Sequence, residues 1–190
     1  MTGGVLLLAA GAARRFGSDK RLYAIDDGRP LLLASLDRYA RAFGSVIVVL
    51  RSGDAAAAGV VAGYAGPGRV RVVHCPDAHL GMGHSLACGA RQIPGHWAHV
   101  FIALADMAWV RPATLTLLRD AMAGAAADAV VQPQYQGQPG HPVGFGARHI
   151  PSLTTLQGDE GARGLIHDIG VTRIEVDDPG VLQDLDRPPQ

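Results

Sequence analysis

The side chains best suited to chemistry lie in Leu8-Ala9-Ala10-Gly11-Ala12-Ala13-Arg14-Arg15-Phe16-Gly17-Ser18-Asp19-Lys20, directly after the apolar run Val5 to Leu8. Small residues and a glycine let backbone N–H groups come close to a ligand. Arg14, Arg15, Lys20 and Arg21 follow, offset only by Asp19, a formal charge of +4 − 1 = +3. Arginine forks onto phosphate oxygens and lysine acts on one as a point charge, so the pattern suits a polyphosphate. Asp106 follows another apolar run, Val100 to Leu104. A carboxylate there can cap a turn, or it can hold Mg²⁺, which keeps waters and bridges to substrate phosphates. Beside the first loop, the metal role is preferred.

Such residues need a scaffold that brings strand ends together. Val5 to Leu8 reads as a buried first strand, Pro30 to Phe43 as an amphipathic helix, and Ser45 to Leu50 as a second strand. Ala55 to Ala65 is a weaker helical stretch, Val70 to Val73 a third strand, Ser85 to Gln92 a helix and His99 to Leu104 a central strand. Pro112 to Met122 is a helix with proline in its first turn. Ala129 to Gln132 and Val143 to Phe145 read as strands, Ala162 to Ile169 as a short helix, and Ile174 to Val176 as a last strand before an acidic tail. This alternation predicts α/β architecture: a three-layer α/β/α sandwich around a mostly parallel sheet, in a single domain over residues 1–190. Ligands of such sheets gather beyond the carboxyl ends of the strands. The loops after Leu8, Val73 and Leu104 should therefore open toward one crevice.

The chain has 190 residues and zero formal net charge, which argues against general electrostatic binding of nucleic acid. Its basic character is local and suits a small anion. Two cysteines, Cys75 and Cys88, are too few for a disulfide framework or a structural zinc site and read as reduced thiols. No run approaches the ~18 apolar residues of a membrane span. Gly3 to Ala13 lacks the basic start of a secretory leader, so the expected location is the cytoplasm.

Three further patches carry candidate residues. Gly81-Met82-Gly83-His84-Ser85-Leu86 ends a loop and starts a helix, where Ser85 can be the N-cap and free amides could face an anion. Tyr135-Gln136-Gly137-Gln138-Pro139-Gly140-His141-Pro142 would by itself predict a rigid turn into a strand. Gly158-Asp159-Glu160-Gly161-Ala162-Arg163 could favour a helix start through its carboxylates, or place Arg163 on a phosphate.

Neither a P-loop nor a dinucleotide fingerprint fits the first segment: Gly11 and Gly17 are one residue too far apart, and Ala13 fills a required glycine position. The segment does resemble L-A-A-G-x-x-x-R-[MF]-G-x-x-K of the small GT-A-like nucleotidyltransferases. It is most similar to the molybdenum cofactor cytidylyltransferases. Leu104-Ala105-Asp106-Met107 resembles that family's L-x-D-M-P, with Ala108 in place of proline. The other three patches, and Asp184-Leu185-Asp186-Arg187-Pro188, resemble further family motifs in the same order.

The resemblance implies a Rossmann-like nucleotidyltransferase fold and transfer of CMP from CTP to a phosphorylated pterin cofactor, with release of PPi. It implies nucleotide contacts from Leu8, Ala9, Ala10, Gly11, Arg15, Lys20, Gly81 and Ser85, and Mg²⁺ on Asp106 and Asp186. Gly140, His141, Pro142, Asp159 and Arg163 fall on the acceptor side, with His141 orienting the acceptor phosphate or taking its proton. Arg15, Lys20, Asp106 and His141 form the implied catalytic set. Ala10, where guanylyltransferase relatives have glycine, narrows the base pocket toward a pyrimidine. Rival expectations are a cytidylyl- or uridylyltransferase for a sugar or alcohol phosphate, a guanylyltransferase of the same cofactor, and a noncatalytic chaperone that hands the cofactor to a molybdoenzyme.

Overall fold

The computed structural model describes residues 2–11, 16, 19–159 and 161–185. Strand β1 (Gly3–Leu8) alternates its side chains between two cores, Val5 and Leu7 on one side and Leu6 and Leu8 on the other. A strand apolar on both faces must lie inside a sheet covered on both faces. β1 pairs in parallel with β2 (Ser45–Arg51) and β4 (His99–Leu104), and β2 with β3 (Arg69–Cys75). Beyond β4 the sheet turns antiparallel, through β7 (Val143–Gly146) to β5 (Val130–Tyr135) and the two-residue β6 (Gln138–Pro139). β8 (Thr172–Glu175) then runs parallel to β5. The order β3-β2-β1-β4-β7-β5-β6 is thus parallel in its first half and mixed in its second.

Helices α1 (Leu31–Phe43), α2 (Ala55–Ala62) and α4 (Pro112–Ala123) cover one face. Helices α3 (Met82–Ala90), α5 (Ile150–Leu153) and α6 (Arg163–Asp168) cover the other. Three layers result, as expected. In α1, Leu32, Leu36 and Tyr39 recur at helical spacing and are fully buried. Each of the two leucines contributes about 1.5–3 kcal/mol of burial. Gly44 ends α1 in the left-handed region, its N–H donating to the Ala40 carbonyl at 2.9 Å.

One expectation needs correction. Ser85 is not an N-cap: α3 begins three residues earlier, with Gly81 at the cap position, and Ser85 lies buried inside the helix. The glycines there pack against another loop, a tertiary contact that overrides their weak helical preference. The chain after β8 is anchored as far as Leu185. Asp178 is 2% exposed and accepts from the Thr114 hydroxyl and the Arg111 N–H, each at 2.7 Å, and from the Gly180 N–H at 3.0 Å. These bonds fasten the C-terminal segment to the start of α4, with Val181 and Leu185 buried behind them.

Cys75 is buried and Cys88 half-buried, both as free thiols. Burial pushes the Cys88 thiol up to about 11, so it stays protonated at neutral pH.

Candidate active site

The carboxyl ends of β1, β2 and β4 open into a cavity of about 780 Å³. Ala9, Ala10 and Gly11 after β1, His79 and Gly81 after β3, and Asp106 after β4 all line it. The three loops expected to share a crevice do so here. Long-range hydrogen bonds fix the start of the loops after β1 and β4. The Ala9 N–H donates to the Val49 carbonyl at 2.9 Å, while the Ser35 hydroxyl donates to the Ala105 carbonyl at 2.7 Å.

Lys20 Nζ donates to Asp106 Oδ2 at 2.6 Å, across 86 residues of sequence. Their side chains are 18% and 23% exposed, so the pair faces the cavity without being sealed from water. Ser85 lines the same cavity with Leu8. Arg14, Arg15 and Asp186 lie outside the described residues. The Leu185 N–H, next to Asp186 in the chain, donates to the Asp106 carbonyl at 3.1 Å.

Arg21 departs from the basic cluster read in the sequence. It is 3% exposed, donates from Nη1 to the Ala9 carbonyl at 2.6 Å, and pairs with Asp54 at 2.6 Å and with Asp19. Both carboxylates hold this buried guanidinium and are shared with Arg51, Asp54 at 3.0 Å and Asp19 at 3.5 Å, which makes Arg21 a brace for the first loop and not a phosphate fork. Hydrogen bonding from Arg21 holds the Asp19 carboxyl below its usual range. Arg51, at the end of β2, lines the cavity and was not singled out in the sequence. A basic residue at the carboxyl end of a parallel strand was the available signal.

A second cavity of about 940 Å³ adjoins the first, and Met82, Leu104 and Asp159 line both. His141 and Arg163 line it, as do Gln132 and Arg173, which the sequence reading missed. Gly140 and Pro142 do not. Gly140 instead shapes the turn: its N–H donates to the Pro133 carbonyl at 2.8 Å and its own carbonyl accepts from Gln132 Nε2 at 3.2 Å.

The His141 ring is partly exposed, but its Nδ1 is buried with no hydrogen-bond partner among the described residues. Desolvation lowers the His141 pKa, with the Asp106 charge pulling the other way. His141 therefore enters the site as a neutral imidazole. Burial lowers the His99 pKa as well. The unfolded chain binds more protons than the folded one just below the ordinary histidine pKa of ~6.5. The stability from both rings is thus full above that pH and is lost as pH falls toward the lowered folded values. Melting temperature should fall between pH 7.5 and 5.5, at about 2–4 °C per kcal/mol lost. His141→Gln should show a smaller fall; an equal fall would assign the proton uptake to other groups.

Among the described residues, no group of three or more His, Cys, Asp or Glu side chains is arranged to hold a metal ion. Asp106 alone in an open cleft suits a cation that arrives with nucleotide phosphates, since Mg²⁺ is commonly held by one or two carboxylates plus substrate oxygens. Among the described residues, no helix is long and apolar enough to cross a membrane.

Known proteins are similar to this chain in sequence and fold. The purine catabolism protein PucB of Bacillus subtilis (strain 168) is 29% identical over 190 residues, covering 96% of this chain and 91% of PucB. The crystal structure of Rv0371c from Mycobacterium tuberculosis H37Rv superposes with a TM-score of 0.78 at 29% identity, covering 98% of this chain and 93% of that one. A manganese complex of Rv0371c superposes at 0.71 with 27% identity, covering 93% and 89%. A nucleotidyl transferase of Methanothermobacter thermautotroptrophicus shares the fold, with a TM-score of 0.79 at 20% identity over 98% and 92% of the two chains. Residues 5–174, from β1 into β8, match the MobA-like NTP transferase domain, and the chain belongs to that family of nucleotidyltransferases.

Proposed function

We propose that this chain transfers the CMP group of CTP to the phosphate of molybdenum-bound molybdopterin and releases PPi. The observation that carries this reading is the pair of adjoining cavities. One holds the first loop with Lys20 and Asp106, the other His141 and Arg163. Each is large enough for one substrate, since ligand sites commonly span ~300–1,000 Å³. The motif resemblance from Leu8 to Pro188 supports the choice of cofactor, and the methyl of Ala10 supports a pyrimidine base.

An oxygen of the acceptor phosphate attacks the α-phosphorus, forming the new O–P bond. The bond from the α-phosphorus to its leaving oxygen breaks, and its electron pair departs on PPi. Positioning and charge stabilisation dominate such a step. The Ala9 to Gly11 backbone borders the base and ribose. Lys20, released from Asp106, neutralises charge growing on the leaving phosphates, and Arg15 joins it there. Arg163 and neutral His141 hold the acceptor phosphate, with Asp159 between the two substrates. Asp106 and Asp186 would hold Mg²⁺, which supplies charge stabilisation at the nucleotide phosphates; the manganese complex of Rv0371c supports a divalent ion in this role. The product would pass, in the cytoplasm, to a molybdoenzyme or its chaperone.

The test is PPi release by the purified protein with Mg²⁺ and molybdopterin cofactor, offered CTP, GTP, ATP and UTP separately. Release that is selective for CTP and dependent on the cofactor is expected. GTP selectivity would move the chain to the guanylyl branch. Release only with a sugar or alcohol phosphate would replace the acceptor, and silence with tight cofactor binding would favour a chaperone.

A further inference from the structure

The two cavities are joined by a contact that the proposed chemistry leaves unused. Gly81 and Met82, at the start of α3, line the nucleotide side, and Asp159, Ala162 and Arg163 line the acceptor side. The backbones of the two segments touch. The Gly83 N–H donates to the Gly158 carbonyl at 2.7 Å. A Cβ on Gly83 would lie 2.4 Å from the Gln157 carbonyl oxygen, and one on Gly81 would lie 2.4 Å from that of Gly158.

One side chain completes this contact. The Gly158 N–H donates to His84 Nδ1 at 3.2 Å, across 74 residues of sequence. Nδ1 must then carry its lone pair, which puts the proton of the neutral ring on Nε2. Gly158 and Asp159 are exposed, so little else orders this stretch of backbone. Asp159 lines both cavities and Arg163 the acceptor cavity.

We infer that His84 is a positioning residue that fastens the acceptor loop to the nucleotide loop and so orients Arg163 toward the acceptor phosphate. The substrate in this inference rests on the function proposed above; the fastening does not. The half-buried ring fills no core position, so its truncation leaves the fold in place. Asparagine, whose Oδ1 can accept from the same N–H, is the conservative replacement.

Hydrogen exchange of the segment 154–163 should be compared in the wild type, His84→Ala and His84→Asn. Exchange about three- to tenfold faster in His84→Ala is expected, on the order of one net hydrogen bond, with recovery in His84→Asn. The KM for molybdopterin cofactor should rise by a similar factor in His84→Ala. Its kcat at saturating cofactor and its KM for CTP should stay within about twofold. Unchanged exchange in His84→Ala, or no recovery in His84→Asn, would overturn the fastening. Faster exchange with an unmoved cofactor KM would overturn the positioning role. A wild type that releases no PPi would defeat the proposed reaction while the exchange series still decided the fastening.

Discussion

Asp106→Ala is expected to abolish Mg²⁺-dependent CTP binding while the fold survives. The backbone around Asp106 is held without its carboxylate: Met107 N–H donates to the Leu104 carbonyl at 3.2 Å, and Leu185 N–H to the Asp106 carbonyl at 3.1 Å. The lost Lys20 pairing is partly solvated, so its stability effect should stay within about 1 kcal/mol. Losing a metal carboxylate forfeits several kcal/mol of charge stabilisation, or about 10³-fold in rate at 1.4 kcal/mol per decade. Calorimetric titration with Mg·CTP reads the binding directly. Affinity equal to wild type would assign Asp106 to the turn alone.

Lys20→Ala should lower turnover by about 10²–10³, the scale on which a single preorganised charge-stabilising donor acts. Its fold should survive, because the 3₁₀ turn Lys20–Leu22 is capped by Asp19 and braced by buried Arg21. A second readout moves the opposite way. In the resting protein the Lys20 ammonium occupies Asp106 Oδ2 at 2.6 Å, competing with any cation for that oxygen. Removing it should raise Mn²⁺ affinity of the nucleotide-free protein while turnover falls. Opposite signs separate a phosphate-facing lysine from a scaffold lysine, whose loss would weaken both. Steady-state PPi release, circular dichroism and Mn²⁺ titration give the three readouts, and unchanged turnover would remove Lys20 from the reaction.

Most elements were legible because their causes are local. The periodicity of α1 and the apolar runs of β1 and β4 matched the structure closely. Positions with nonlocal causes were misread. Ser85 looked like a cap because Gly81-Met82-Gly83 looked like a loop; only Gln157 and Gly158, packed against those glycines, extend the helix through them. Arg21 looked like a phosphate ligand because, beyond nearby Asp19, its second partner Asp54 lies at the start of α2, beside it only after the sheet forms. Gln132 and Arg173 gave no signal, since neither belongs to a motif and both reach the second cavity from strands paired in register.

The sequence by itself determined an α/β sheet with two covered faces, a first loop rich in small residues and an aspartate at the end of a central strand. Those follow from side-chain period and from where apolar runs stop, properties that adjacent residues carry. Tertiary structure decided which charges pair, where the sheet turns antiparallel and how the two cavities meet. Lys20 and Asp106 are 86 positions apart, and only parallel pairing of β1 with β4 brings the loops that follow them to the same edge. A buried cation takes whichever carboxylate the folded chain sets beside it, so the division of labour between Lys20 and Arg21 is a property of the packed molecule.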